Sequence, residues 1–224
     1  MDTGNNNYIE TIAKCNFPPY GRDFVGGKPT AEELGIKELV PPYLDPNLQL
    51  QDLKTGVCFA SGGTGYDPLT PILAVHTISS RGKKDWSIQC TATGMYTITE
   101  NCGWRITTKK LCRKVQPSIL LFNSKLNTTI DSLNKNLPDS RIVYVDVYNP
   151  FLDIIENPQN YGFHVADRGC CGTGDIEVAV LCTLTPTTCV NASDYIFWDS
   201  YHPTEAVYRT LISQFLPKYI NSFF

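Results

Sequence analysis

No stretch of this 224-residue sequence approaches the roughly 20 consecutive apolar residues of a membrane-spanning helix, so no transmembrane segment is expected. Runs of basic charge are missing as well. The 19 Lys and Arg stand against 22 Asp and Glu, a formal net charge of -3, which argues against a nucleic-acid partner. Cysteines at C-x₂₋₄-C spacing are absent, so a zinc site is not expected. There is no G-x-G-x-x-G fingerprint and no glycine loop closed by lysine, which excludes the common nucleotide-binding turns. The first residues, Met1-Asp2-Thr3-Gly4-Asn5-Asn6-Asn7, are polar and lack the apolar centre of a signal peptide.

With 42% hydrophobic and 18% charged residues, the chain suits one globular domain over 1–224. Its nine cysteines include the adjacent pair Cys170-Cys171, then Cys182 and Cys189. Disulfides formed in an oxidising compartment fit this pattern, and at least two are expected to tie the region 170–189. Two sequons point the same way: Asn127 in Asn127-Thr128-Thr129, and Asn191 in Asn191-Ala192-Ser193.

Periodicity is clearest in the second half. Leu126, Ile130, Leu133 and Leu137 share one helical face, ending near Pro138. Residues 141–148, rich in β-branched and aromatic side chains, predict a strand. Asn149-Pro150 opens a shorter helix through Ile155, closed by Asn157-Pro158. Val207, Tyr208, Leu211, Ile212, Phe215 and Leu216 predict a helix starting near Pro203, proline being favoured at the first helical position. Helix, strand and helix imply a parallel sheet with helices packed on it. The first half is less regular. A short helix is expected around Tyr8–Ala13, and Val57-Cys58-Phe59-Ala60 reads as a buried strand. Residues 72–111 show no clear period, and weak order is expected there.

Two stretches carry chemistry. In Phe197-Trp198-Asp199-Ser200-Tyr201-His202-Pro203-Thr204-Glu205, Asp199 and His202 stand three apart in the loop entering the last helix. A carboxylate beside an imidazole is the base half of a serine-hydrolase triad, although such a pair also arises as a helix cap plus a surface histidine. In Ser61-Gly62-Gly63-Thr64-Gly65, glycines after an apolar run let backbone N–H groups approach a developing oxyanion, or simply make a turn. His76 and His164 are isolated, and a structural or surface role is expected of each.

These blocks, with Asp2-Thr3-Gly4-Asn5-Asn6-Asn7 and Phe17-Pro18-Pro19-Tyr20-Gly21, resemble the plant GDSL-type esterase/lipases of the SGNH hydrolase superfamily. The resemblance covers the start of the chain, residues 31–71, and nearly everything after about residue 112. It implies a flavodoxin-like α/β/α sandwich, here with an incomplete sheet. It also implies ester hydrolysis through an acyl-serine, a small ester or lipid substrate, secretion, and no metal or organic cofactor. His202 would be general base and then acid, Asp199 would orient it, and Gly63, or failing that Gly62, would offer an oxyanion N–H. The family's nucleophilic serine precedes the aspartate matching Asp2 by three residues, and its oxyanion asparagine lies in a Gly-x-Asn-Asp that this sequence does not contain. As substitutes, Ser200 is too near its own base in sequence, Ser61, Ser79 and Ser80 lie on no nucleophile elbow, and Cys58 is conceivable but reads rather as a core residue. The chain as written is therefore expected to be inactive. A non-catalytic secreted lipid- or wall-binding protein and an incomplete gene product are the alternatives.

Overall fold

The structure, a computed structural model, describes residues 4–11, 14–23, 40–62, 116–175, 177–178, 181–182, 187–215 and 217–220. The chain forms two compact units, Met1–Gln89 with Glu177–Thr188, and Cys90–Ile176 with Cys189–Phe224.

In the first unit a 3₁₀ turn spans Asn5–Tyr8 and helix α1 spans Leu50–Thr55. The turn begins at Gly4, whose φ of 116° is open to glycine and strained for other residues. Of the helix expected at Tyr8–Ala13, Ile12 and Ala13 lie outside the described residues; Tyr8 ends this earlier turn, and Ile9 is already extended. A run of three asparagines favours side-chain bonds to backbone over a continuing helix. Cys58 forms a single parallel bridge with Pro42, in which Cys58 N–H donates to Pro41 O and Tyr43 N–H to Cys58 O. The expected strand 57–60 is thus reduced to one bridge, because its neighbour is the proline-rich segment Pro41-Pro42, which has few donors.

The second unit holds helices α2 (Gln116–Asn136), α3 (Tyr148–Glu156), α4 (Glu205–Phe215) and α5 (Pro217–Ile220), with strands β1 (Val165–Gly169) and β2 (Tyr195–Phe197). The strands pair in parallel, Val165 with Tyr195 and Gly169 with Phe197, with an irregularity between. Ile196 and Phe197 are both fully buried. Successive strand residues face opposite ways, so β2 is covered on both faces, as parallel strands usually are. Its core partners are Tyr148, Phe151, Ile154 and Ile155 of α3, Phe163, and Val207 of α4. Phe151 meets Phe197 edge-on at 5.9 Å. The chain is an α/β protein in which the described sheet is small.

The strand expected at 141–148 is not formed. Tyr148 opens α3, and the residues before it join no ladder among the described residues. Sheet propensity reflects fit to a pleated surface and needs a neighbour. Here a side chain supplies it. Asn134 donates from Nδ2 to Ile142 O at 2.8 Å and accepts Ile142 N–H at 2.9 Å, meeting both backbone groups at once. Asp146, one residue before the Val147 cap of α3, accepts Asn149 N–H at 3.2 Å.

Candidate active site

Strand β2 delivers the Asp199–His202 loop, and the loop closes on itself. Trp198 N–H donates to His202 O at 2.7 Å and Thr204 N–H to Ile196 O at 2.9 Å, which brackets an antiparallel bridge between Phe197 and Pro203. Pro203 lacks an N–H, and this bridge asks none of it. Pro203 therefore serves the loop and not the first turn of α4, which starts at Glu205. Thr204 joins loop to strand, its Oγ1 donating to Tyr195 O at 2.8 Å.

Inside the loop Asp199 is fully buried. Its Oδ1 accepts Tyr201 N–H at 2.8 Å and His202 N–H at 2.7 Å. Its Oδ2 lies 2.7 Å from His202 Nδ1. Three donors thus replace the water that burial removes, as a buried carboxylate requires. The His202 side chain stays 22% exposed. One ring nitrogen is occupied by Asp199, which leaves Nε2 for proton exchange. The Tyr201 hydroxyl is held above its usual pKa by burial and then by the charge on Asp199.

The loop rests on the end of β1. Cys170 N–H donates to Phe197 O at 3.0 Å and Cys171 N–H to Trp198 O at 2.8 Å, carrying the pairing up to Asp199. Cys170 is bonded to Cys189, and Cys171 and Cys182 are each also in disulfides. At least two disulfides therefore involve the region 170–189, as its cysteine content led one to expect. Neither the pairing onto β1 nor the role of Thr204 was visible in the sequence. The glycines around Cys170-Cys171 were the one local hint of a close backbone approach.

Gly62 lies in the first unit, where its carbonyl accepts Asn6 Nδ2 at 2.9 Å. Gly63, Ser79, Ser80 and His76 fall outside the described residues. Of the other nucleophile candidates, Ser61 is half-buried, Cys58 keeps a reduced, half-buried thiol, and Ser200 is 4% exposed with its Oγ buried and unbonded. A hydroxyl so enclosed is badly placed to attack a substrate. His164 is largely exposed and pairs with Asp194 at 3.4 Å, a surface contact. Asn127, on α2, and Asn191, ahead of a 3₁₀ turn, are both exposed. Among the described residues no three His, Cys, Asp or Glu gather as a metal site, and no helix is long and apolar enough to cross a membrane.

The family model described as GDSL-like Lipase/Acylhydrolase matches residues 91–215. GDSL esterase/lipase EXL3 of Arabidopsis thaliana is 37% identical over an alignment covering all of this chain and 86% of the relative. GDSL esterase/lipase At5g42170 of the same organism is 36% identical, over 99% of this chain and 84% of its own length. The alignment to EXL3 spans 312 positions against 224 residues here, so internal segments of the relative have no counterpart in this chain. No solved structure matches. With the Asp-x-x-His loop, the parallel β1–β2 pair and likeness over its whole length, this chain belongs to the plant GDSL esterase/lipases, a family of ester hydrolases.

Proposed function

We propose that Asp199 and His202 are the acid–base half of a serine esterase that acts on small carboxylic esters or lipids. The observation that carries this reading is the 2.7 Å contact of Asp199 Oδ2 with His202 Nδ1, made by a carboxylate that is otherwise inaccessible. His202 takes the proton of a serine as its oxygen attacks the ester carbonyl, and returns it to the leaving alcohol. It then activates water to cleave the acyl-serine. Asp199 orients the ring and stabilises its protonated form. Gly63, or Gly62 beside it, offers an N–H to the oxyanion.

The serine comes, in the family's order, from three residues ahead of the position of Asp2, so residues 1–224 alone hydrolyse no ester above background. The test compares this chain with one in which a strand ending in Gly-Asp-Ser and a Gly-x-Asn-Asp segment are supplied. Short-chain aryl esters are the substrates. The supplemented chain gains hydrolysis and His202→Ala abolishes the gain, since losing one member of a triad costs up to about 10⁶ in turnover. Hydrolysis by residues 1–224 that His202→Ala removes would move the nucleophile elsewhere in the chain. Hydrolysis indifferent to His202→Ala would overturn the assignment.

Secretion belongs to the same reading. The Cys170–Cys189 bond and the exposed sequons at Asn127 and Asn191 support passage through an oxidising, glycosylating compartment. A mass loss on enzymatic deglycosylation of plant-expressed protein, absent in the double variant Asn127→Gln/Asn191→Gln, tests it.

A further inference from the structure

Asn5 and Asn6 are, among the described residues, the most deeply buried polar residues of the first unit, 1% and 0% exposed. Burying a primary amide is unfavourable unless its donors and acceptor are used. Asn5 Nδ2 donates to Cys58 O at 2.9 Å and to Ala60 O at 2.8 Å, and its Oδ1 accepts Leu44 N–H at 2.9 Å. Asn6 Nδ2 donates to Gly62 O at 2.9 Å, while its buried Oδ1 accepts no hydrogen bond among the described residues, so the Gly62 contact offsets part of the burial of this amide.

The three carbonyls belong to residues 58, 60 and 62. In an extended chain alternate carbonyls point to one edge. The segment Pro41–Tyr43 pairs with that edge at Cys58 and goes no further. Beyond it, two asparagine side chains do what a neighbouring strand would do, at Ala60 and then at Gly62. Gly4 brings them there. A Cβ at Gly4 would stand 3.2 Å from the Pro42 ring, so the 3₁₀ turn sits hard against the Pro41–Tyr43 segment.

We propose that Asn5 and Asn6 are positioning residues for the Ser61–Gly62 turn: they fix its carbonyl edge so that the backbone there is set before substrate arrives. The catalytic part of this proposal rests on the reading above, in which this turn serves the oxyanion. A strand partner would fix the edge but also cover it with more chain. Side-chain amides fix it while ending the ladder, and a preorganised donor turn needs both.

Asn6→Ala tests the proposal in two arms. Hydrogen exchange on residues 1–224 should quicken at Cys58–Gly62 by more than the accompanying drop in the global unfolding midpoint accounts for. In the serine-supplemented chain, kcat should fall about 100-fold, the cost of a displacement on the order of 1 Å in a reacting site, with KM within about twofold. Exchange no faster than the drop in the midpoint accounts for, or a kcat loss no larger than the loss of folded protein, overturns it. If the supplemented parent hydrolyses nothing, the esterase reading has failed and exchange alone judges the clamp. Should Asn6→Ala not fold, Asn6→Leu keeps the branched shape, removes the donor without adding a charge, and carries the same expectations.

Discussion

Gly169 and Asp199 touch backbone to backbone. A Cβ built on Gly169 would stand 2.7 Å from Asp199 O and 2.9 Å from its Cα. Residue 169 is therefore glycine because of the aspartate, thirty positions on, that holds His202.

Gly169→Ala is the first prediction. The clash is with main chain, so the Asp199 loop has to move. Overpacking of this kind costs about 1–3 kcal/mol. Urea unfolding should show that loss, and the serine-supplemented chain should lose activity beyond the loss of folded protein. A variant as stable and as active as its parent would contradict the contact.

Thr204→Val is the second. Thr204 is fully buried and its hydroxyl bonds Tyr195 O. Valine keeps the shape and leaves that carbonyl with one partner fewer, at a cost of about 1–3 kcal/mol. The expected result in chemical denaturation is a lower midpoint with an unchanged slope.

The third concerns pH. Asp153 accepts from the Tyr161 hydroxyl and from Asn157 Nδ2. The Tyr161 bond, and then the Asn157 bond, hold the Asp153 carboxyl below its ordinary range. The bond to Asp153 raises the Tyr161 hydroxyl in turn, with burial adding to it. A depressed carboxyl contributes stability above its unfolded pKa that is lost as pH falls through the folded value. A raised tyrosine contributes stability below its unfolded pKa that is lost as pH rises through the folded one. The pair is thus intact across neutral pH. Tyr161→Phe should lower Tm at about pH 7, and lower it progressively less as pH falls through the depressed folded value of Asp153, where the carboxyl protonates. A Tm difference independent of pH would refute the assignment.

The fourth is covalent. Cys170 and Cys189 are bonded across a separation of 19 residues. Closing a loop of that size stabilises by about 3 kcal/mol in the chain-entropy account. Cys189→Ser should lower stability by that order in oxidised protein. It should change little in fully reduced protein.

The long helices could be read from the sequence because their signal is local. Leu126 and Ile130 on α2, and Val207 and Leu211 on α4, repeat at helical spacing, and the ends at Pro138 and Asn157 follow from backbone chemistry. Local signal is also what misled at 141–148, where strand-forming residues found Asn134 in place of a neighbouring strand. Strands β1 and β2 escaped notice for the opposite reason: β1 carries exposed Asp167 and Arg168, and β2 is three residues long. At the site, Asp199 and His202 announce themselves by spacing. Their supports, Gly169, Cys171 and Thr204, do so only through contacts between segments distant in sequence.

The Cys170–Cys189 bond lies within the crossover that joins β1 to β2. In the reduced chain the two strands find each other across the whole stretch from Cys170 to Asp194. Once the bond forms, the route shortens to one linkage and the few residues from Val190 to Asp194. A pairing of distant partners becomes a pairing of near ones, and near contacts form faster because less loop entropy is spent in closing them. Oxidation thus lowers the entropy that β2, and the Asp199 loop it carries, must give up to come into register with β1.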